Sequence, residues 1–366
     1  MKRATTVSFI LLGIIFLLNS CAERKNAVLS GGSESILVYL SSTPVRGVAK
    51  DVSMVGNLAY VADEPFGISV YDISDPANPA RVDSLEFDVL FPDDIDMITI
   101  DPSGKIAIVV EPPGMSAYSL ESGQALFQFG GALHYKIVTD FTEGVTPAQD
   151  ELTVLRCDQS PDDGFNFERW ADPFNFPSKS FFSRYVEPQD FKLYGFAGSD
   201  NDVVFICRDM GGIVAVDCSV PTTAGVISEL NTPGKVRDAA LVGDVLCLAA
   251  GYEGIITVDV SDPANMSILG SLQLGSSTDI ERIEMLGNYA LLQDKYDGIF
   301  AVNVSDPENP VSAGSLVTSD PNNFRVWSDM VIVADEDQGL VVGQSMAVIA
   351  IQIPVPFPPF PPNVPE

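Results

Sequence analysis

Three thirteen-residue segments of this chain are nearly identical: GISVYDISDPANP from Gly67, GIITVDVSDPANM from Gly254 and GIFAVNVSDPENP from Gly298. They mark a longer periodicity. A glycine between two apolar runs recurs at Gly67, Gly114, Gly164, Gly212, Gly254, Gly298 and Gly339, at intervals of 47, 50, 48, 42, 44 and 41 residues. A period of this length implies stacked supersecondary units, none of which buries its apolar faces alone.

The unit is clearest from Ala49 to Phe87. Val52 and Met54 lie in a first strand that ends at the Gly56-Asn57 turn. Leu58 to Ala62 is a second strand, Asp63 to Gly67 a turn, and Ile68 to Ile73 a third strand. Ser74-Asp75-Pro76 opens a loop, because Asp bonds the backbone ahead of it and Pro supplies no strand donor. Arg81 to Phe87 is the fourth strand. Four short antiparallel strands per unit, with no helical pattern, predict an all-β, seven-bladed β-propeller of four-stranded antiparallel blades, six or eight blades being the alternatives. The unit at residues 134–186 reads HYKIVTD, ELTVLRCD, FNFERWAD and SKSFFSRYV. Ile36 to Ser42 resembles a fourth strand, so it is expected to close the ring as the outer strand of the last blade. The run AVIAIQI from Ala347 competes for that place.

The letters GNLAYVAD, GISVYD and ISDPANP resemble the LVIVD repeat family of secreted bacterial and archaeal β-propellers. GDVLCLAA with GIITVDVSDPAN, and GNYALLQD with GIFAVNVSDPENP, repeat the match. The resemblance runs from Ile36 to Ile353. It implies a surface or envelope propeller and brings no catalytic residues with it.

The ends read differently. Lys2 and Arg3 precede the apolar run Phe9 to Leu18, a signal-peptide core, and Leu18-Asn19-Ser20-Cys21 resembles a bacterial lipobox with Cys21 lipidated. Residues 1–20 are thus read as a lipoprotein signal peptide, 21–35 as a flexible tether, 36–353 as the propeller and 354–366 as a Pro-rich tail in extended polyproline form. Ala22 after the Cys points to the outer membrane or cell surface of a bacterial envelope. The expected partners are the membrane, through the lipid, and an envelope or extracellular protein, with the chain itself a monomer. Fifty acidic against 20 basic residues exclude nucleic acid as a partner.

Four site readings follow. The starts of the first strands, which line a propeller's channel, carry Lys50, Asp51, Asp94, Asp96, His134, Lys136, Arg237, Asp238, Glu281, Arg282 and Arg325. These either bind a polar ligand at the channel mouth or pair with one another and plug it. The turns between second and third strands hold Asp63, Glu64, Glu111, Asp158, Asp162, Asp163, Glu253, Asp297, Asp335, Glu336 and Asp337: an acidic rim for a basic partner, or simply solvated turns. Phe174 and Phe176, in a loop after Asp172-Pro173, are candidate partner-binding aromatics. Asp75, Asp262 and Asp306 repeat with a spacing that suggests calcium, but one Asp turn per blade does not converge on an ion, so each is expected to cap its own turn and no cofactor is implied.

Catalysis finds little support. One histidine excludes multi-histidine metal sites, and no GxSxG, CxxC or HExxH motif occurs. A binding or assembly scaffold is the expected function; the rival is a carboxylate- or cation-dependent hydrolase or lyase at the channel mouth. Cys157, Cys207, Cys218 and Cys247 are expected to be buried thiols, with Cys157–Cys207 the one pairing that strand phase permits and Cys207 set opposite Val214.

Overall fold

A computed structural model describes residues 35–85, 95–101, 104–111, 114–129, 151–158, 164–171, 178–186, 193–198, 203–220, 224–275 and 278–346. Every extended element is a β-strand. The first sheet joins β2 (Val48–Val55), β3 (Leu58–Glu64), β4 (Ile68–Asp72) and β5 (Ala80–Leu85) in that order, preceded in the chain by β1 (Leu37–Thr43). The second is β6 (Met97–Ile100), β7 (Ile106–Glu111), β8 (Gly114–Ser119) and β9 (Ala125–Phe129). Then come β10 (Glu151–Asp158), β11 (Gly164–Ala171) and β12 (Ser178–Val186), a three-stranded sheet. The next is β13 (Phe196–Gly198), β14 (Val203–Cys207), β15 (Ile213–Asp217) and β16 (Gly225–Leu230). It is followed by β17 (Asp238–Val242), β18 (Val245–Ala249), β19 (Ile255–Asp259) and β20 (Ser267–Leu272), and by β21 (Ile280–Leu286), β22 (Tyr289–Asp294), β23 (Gly298–Asn303) and β24 (Val311–Leu316). The last sheet runs β25 (Pro321–Trp327), β26 (Met330–Asp335), β27 (Gly339–Ser345) and then β1.

Among the described residues the complete four-stranded blades therefore number six, not the expected seven. The unit at 134–186 is where the expectation departs: three of its four strands form a sheet, and the proposed first strand from His134 lies outside the described residues. The N-terminal segment read as a fourth strand is β1, which pairs antiparallel with β27 from Leu37 opposite Ser345 to Thr43 opposite Leu340. The rival run from Ala347, and the tail, lie outside the described residues.

The cores lie between blades, not within them. One cluster packs Phe205, Ile213 and Ala215 of one sheet against Val236, Leu246, Leu248 and Ile256 of the next. The following joint sets Cys247, Ala249 and Ile255 against Ile280, Ile283 and Leu292. Leu291, Ile299 and Ala301 meet Phe324, Val331, Val333 and Leu37. Ile332, Ala334 and Val342 meet Val52, Val61 and Tyr71. Ala62 and Ile68 meet Ile98, Ala107 and Val109, while Phe165 and Tyr185 of the three-stranded sheet meet Phe196, Val204 and Val214. Each middle strand is thus covered on both faces. That is why VLCLA and IITVD read as continuous apolar runs, whereas outer strands such as β5 stay exposed. At about 1.5–3 kcal/mol per buried Val, Leu or Ile side chain, these joints dominate the stability.

The recurring glycine answers to a close approach. Gly67, Gly212, Gly254, Gly298 and Gly339 all have φ between +73° and +101°. At each, a Cβ would run into the carbonyl oxygen ending the fourth strand: Leu85, Leu230, Leu272, Leu316 and, for Gly339, Thr43 of β1. Gly339 thus treats β1 as the others treat their own fourth strands.

Aspartates stitch the turns. Asp335 is fully buried and accepts backbone N–H bonds from Ser319 and Asp320 at 3.0 Å, Asp337 at 3.1 Å and Gln338 at 2.8 Å. Asp294 does the same for Asp279, Tyr296 and Asp297, and buried Asp63 accepts from Gly47 N at 2.7 Å and Ser69 Oγ at 2.6 Å. The Asp-Pro turns also cap themselves: Asp75, Asp262 and Asp306 each accept from an amide two residues on and from the side-chain amide of Asn78, Asn265 or Asn309. The proline carbonyls of these loops dock on the preceding blade, Pro76 accepting from Ser41 Oγ at 2.7 Å, Pro263 from Ser228 Oγ at 2.5 Å and Pro307 from Thr257 Oγ1 at 2.5 Å. The repeated motif is therefore a staple between blades.

Three outcomes are expected. Gly243 sits at φ +56° with nothing near a would-be Cβ, so Gly243→Ala costs about 1 kcal/mol, whereas Gly254→Ala adds a backbone clash and costs about 3 kcal/mol, compared by urea unfolding midpoints. Asp335→Ala strands four amides and is expected to cost about 3 kcal/mol, against under about 0.5 for exposed Asp337→Ala. Ser261 N–H and hydroxyl hold Asp259 below its usual 3.8, and Asn265 and Ala264 do so for Asp262. Because the folded values are depressed, this stabilisation is present above the usual value and is lost as pH falls through the folded ones, so melting temperatures measured from pH 7 to pH 3 should drop below about pH 4.

Candidate functional site

Alternation on the inner strands decides what faces the channel. Val52, Ile98, Phe196, Ala239, Ile283 and Phe324 are at most 1% exposed and point into the joints. The residues beside several of them point inward, Asp238, Arg282 and Asn323 in one tier and Thr99, Glu284 and Arg325 in a second. A cavity of about 440 Å³ opens among the inner strands, with Met97, Thr99, Tyr194, Arg237, Asp238, Glu281, Arg282, Glu284, Asn323 and Arg325 in its wall.

Five of the residues expected at the channel mouth, Arg237, Asp238, Glu281, Arg282 and Arg325, come together in this wall. Arg237 pairs with Asp279 at 3.0 Å and Glu281 at 2.9 Å. Asp238 accepts from Ala239 N at 2.9 Å and, across the joint, from Ile283 N at 3.1 Å. Arg325 reaches Glu284 at 3.4 Å and Asp51 at 3.5 Å. Burial opposes the charge of Arg325, but Asp51, Glu284 and Asp238 outweigh it and hold the guanidinium above its usual value.

The others are placed elsewhere. Asp51 is fully buried and accepts from Val52 N at 2.7 Å, Ile98 N at 2.9 Å and Asn323 Nδ2 at 2.6 Å, which ties β2 to β6 on one side and to β25 on the other. Lys50 turns away to Glu64 at 3.0 Å; burial opposes its charge, but Glu64 holds it above the usual lysine value. Asp96 is exposed. Asp94, His134, Lys136, Phe174, Phe176 and Cys21 lie outside the described residues. Asp279, Glu284 and Asn323 were not foreseen; Glu284 was findable, since it lies two residues after Arg282 on the same side of a strand.

The expected acidic rim divides. Asp63 and Asp335 are fully buried stitches, which corrects their reading as surface charges, because amides of the turn and of the inter-blade connection converge on them. Asp297, Glu336 and Asp337 stay exposed. What the turns also present is apolar. Among the described residues the three most exposed large hydrophobic side chains are Met210, Tyr296 and Tyr252, at 62%, 61% and 60%. All three stand two residues before the turn glycine, in three consecutive blades. The first two turns abut the next inner strand, Asp209 bridging Val236 and Gly251 bridging Ile280, while the third reaches Asp279 of its own blade through Lys295 N at 3.4 Å, so all three flank the Arg237–Asp279–Glu281 cluster. Phe66, one position nearer its glycine, is also exposed, with the Arg46 guanidinium over its ring at 5.0 Å.

Among the described residues no group of histidine, cysteine or carboxylate side chains is arranged to hold a metal. Cys207, Cys218 and Cys247 are buried thiols outside any disulfide, and burial pushes Cys247 up to about 12. Cys207 stands opposite Ile213, one residue off the expected Val214, because Arg208 to Gly212 closes the turn with Gly212 at φ +73°. The side chain of Cys157 lies outside the described set.

The LVIVD repeat family model matches residues 46–86, 233–273 and 278–318. No curated protein matches the chain. Among solved structures it is similar to the computationally designed Ika8 protein, at 12% identity over 84% of this chain and 99% of that one, with a TM-score of 0.57. It is also similar to the beta-propeller domain of Cps50 (Swd1) from Myceliophteria thermophila, at 11% identity over 84% and 99% of the two chains, with a TM-score of 0.58. At these identities the likeness is one of fold. Three repeats matched in blades whose glycines, Asp-Pro staples and inter-blade cores coincide make this chain a β-propeller that carries LVIVD repeats.

Proposed function

We propose that this protein is a binding or assembly scaffold, held at the bacterial cell envelope by lipid on Cys21, whose working surface is the face of turns between second and third strands. The carrying observation is the row of Met210, Tyr252 and Tyr296 at one repeat position in three adjacent blades. Large side chains left in water at equivalent places, beside the carboxylates Glu253 and Asp297, suit a protein partner with apolar and basic groups. Carboxylates of the channel are occupied by backbone amides and guanidinium groups, which favours a scaffold over a cation-dependent hydrolase or lyase.

The lipidated protein is used as bait in a bacterial envelope extract, with and without calcium, beside a Met210→Ser, Tyr252→Ser, Tyr296→Ser variant. The variant is expected to keep its melting temperature and to lose the captured partner by at least about 30-fold, which corresponds to about 2 kcal/mol in total for the three side chains. Equal capture by both would refute the surface assignment. Capture that vanishes with calcium removal and survives the substitutions would support the enzyme reading. Cys21→Ala should move the protein from the membrane to the soluble fraction.

A further inference from the structure

The channel cavity holds one guanidinium that its neighbours leave uncommitted. Arg237 is bound by Asp279 and Glu281, and Arg325 by Glu284 and Asp51. The acidic groups are engaged as well. Both oxygens of Asp238 take backbone amides, and Glu284 takes Val326 N at 2.7 Å in addition to Arg325. Arg282 lines the same cavity, is partly buried, and makes no hydrogen bond or ion pair among the described residues. A guanidinium carries five N–H donors in a planar fork, and withdrawing it from water without an acceptor is unfavourable.

The cavity wall is less negative than the chain as a whole. Arginines and carboxylates balance in its wall, three of each, in a protein with a net charge of −30. Hydrogen bonds from amides leave the charge of Asp238 in place, so the wall is neutral as a whole, and Arg282 is its arginine without an ion pair among the described residues. Across the cavity, on β6, Thr99 adds a hydroxyl. The volume, about 440 Å³, is that of a small-molecule site.

We infer that this cavity binds a compact anion, a phosphate or carboxylate group, whose oxygens are taken by the guanidinium fork of Arg282. A fork of parallel N–H donors matches the paired oxygens of either group, and partial exclusion from water strengthens the bond. The inference stands apart from the scaffold reading, because it concerns the channel and not the exposed turn row.

The test is isothermal titration of the full chain with sodium phosphate and, separately, with citrate. Saturable binding of at least one, with a dissociation constant below about 1 mM, is expected, and the stronger of the two identifies the ligand chemistry. Arg282→Gln should weaken it at least about tenfold with an unchanged melting temperature in the absence of anion, and Arg282→Lys should fall between. The Met210→Ser, Tyr252→Ser, Tyr296→Ser variant should bind the anion as the wild type does. Absence of saturable binding by both anions up to about 20 mM, or equal affinity in wild type, Arg282→Gln and Arg282→Lys, would overturn the proposal.

Discussion

Each sheet of this protein depends on its neighbour for a dry face. Phe205 and Ile213 are sealed by Leu246 and Ile256, and Ile299 and Ala301 by Val331 and Val333. A single blade removed from the stack would leave its middle strands, apolar on both sides, in water. The interaction is nondirectional and scales with area, so it tolerates the drift in sequence from one unit to the next. What it does not tolerate is a change in spacing, since each middle strand must meet the same level of the next. The glycine at the second turn holds that level by letting the third strand pass directly beside the end of the fourth.

Acidity has a structural share in this arrangement. Asp63, Asp294 and Asp335 are buried at equivalent turns, where several amides would otherwise point at one spot without acceptors. Asp51 and Asp238 do similar service on inner strands, each accepting an amide of its own strand and one from the next blade. Carboxylates suit these places because two oxygens offer about four acceptor sites and no donor that would need a partner. Buried acidity therefore organises the backbone, while acidic residues such as Asp297, Glu336 and Asp337 lie on the surface.

The face that carries the inner-strand starts combines two kinds of chemistry. Inside, paired charges leave Arg282 facing open volume. Outside, Met210, Tyr252 and Tyr296 stand in water at one repeat position. The two are close along the chain, since the Met210 and Tyr252 turns bridge to the next inner strand, yet they differ in what they recognise: a small charged group in one case, a broad surface in the other.

The blade pattern was legible in the letters because it is local. Strand periodicity, Gly-Asn turns, Asp-Pro loops and the glycine spacing each arise from interactions within a few residues, and the near-copies at Gly67, Gly254 and Gly298 made the register of those blades plain. Ile36 to Ser42 is spelled like other fourth strands, and the structure pairs β1 with β27. Much of the site was not legible. Asp51 and Asn323 are 272 positions apart and meet only when first and last blades adjoin. Whether a turn aspartate is a buried stitch, like Asp335, or a surface charge, like Asp337, depends on which amides converge on it. Local sequence determined the unit and its repetition; only the tertiary structure decided which charges are spent on holding the blades together and which remain for a ligand, because burial and partnering are properties of the assembled joints.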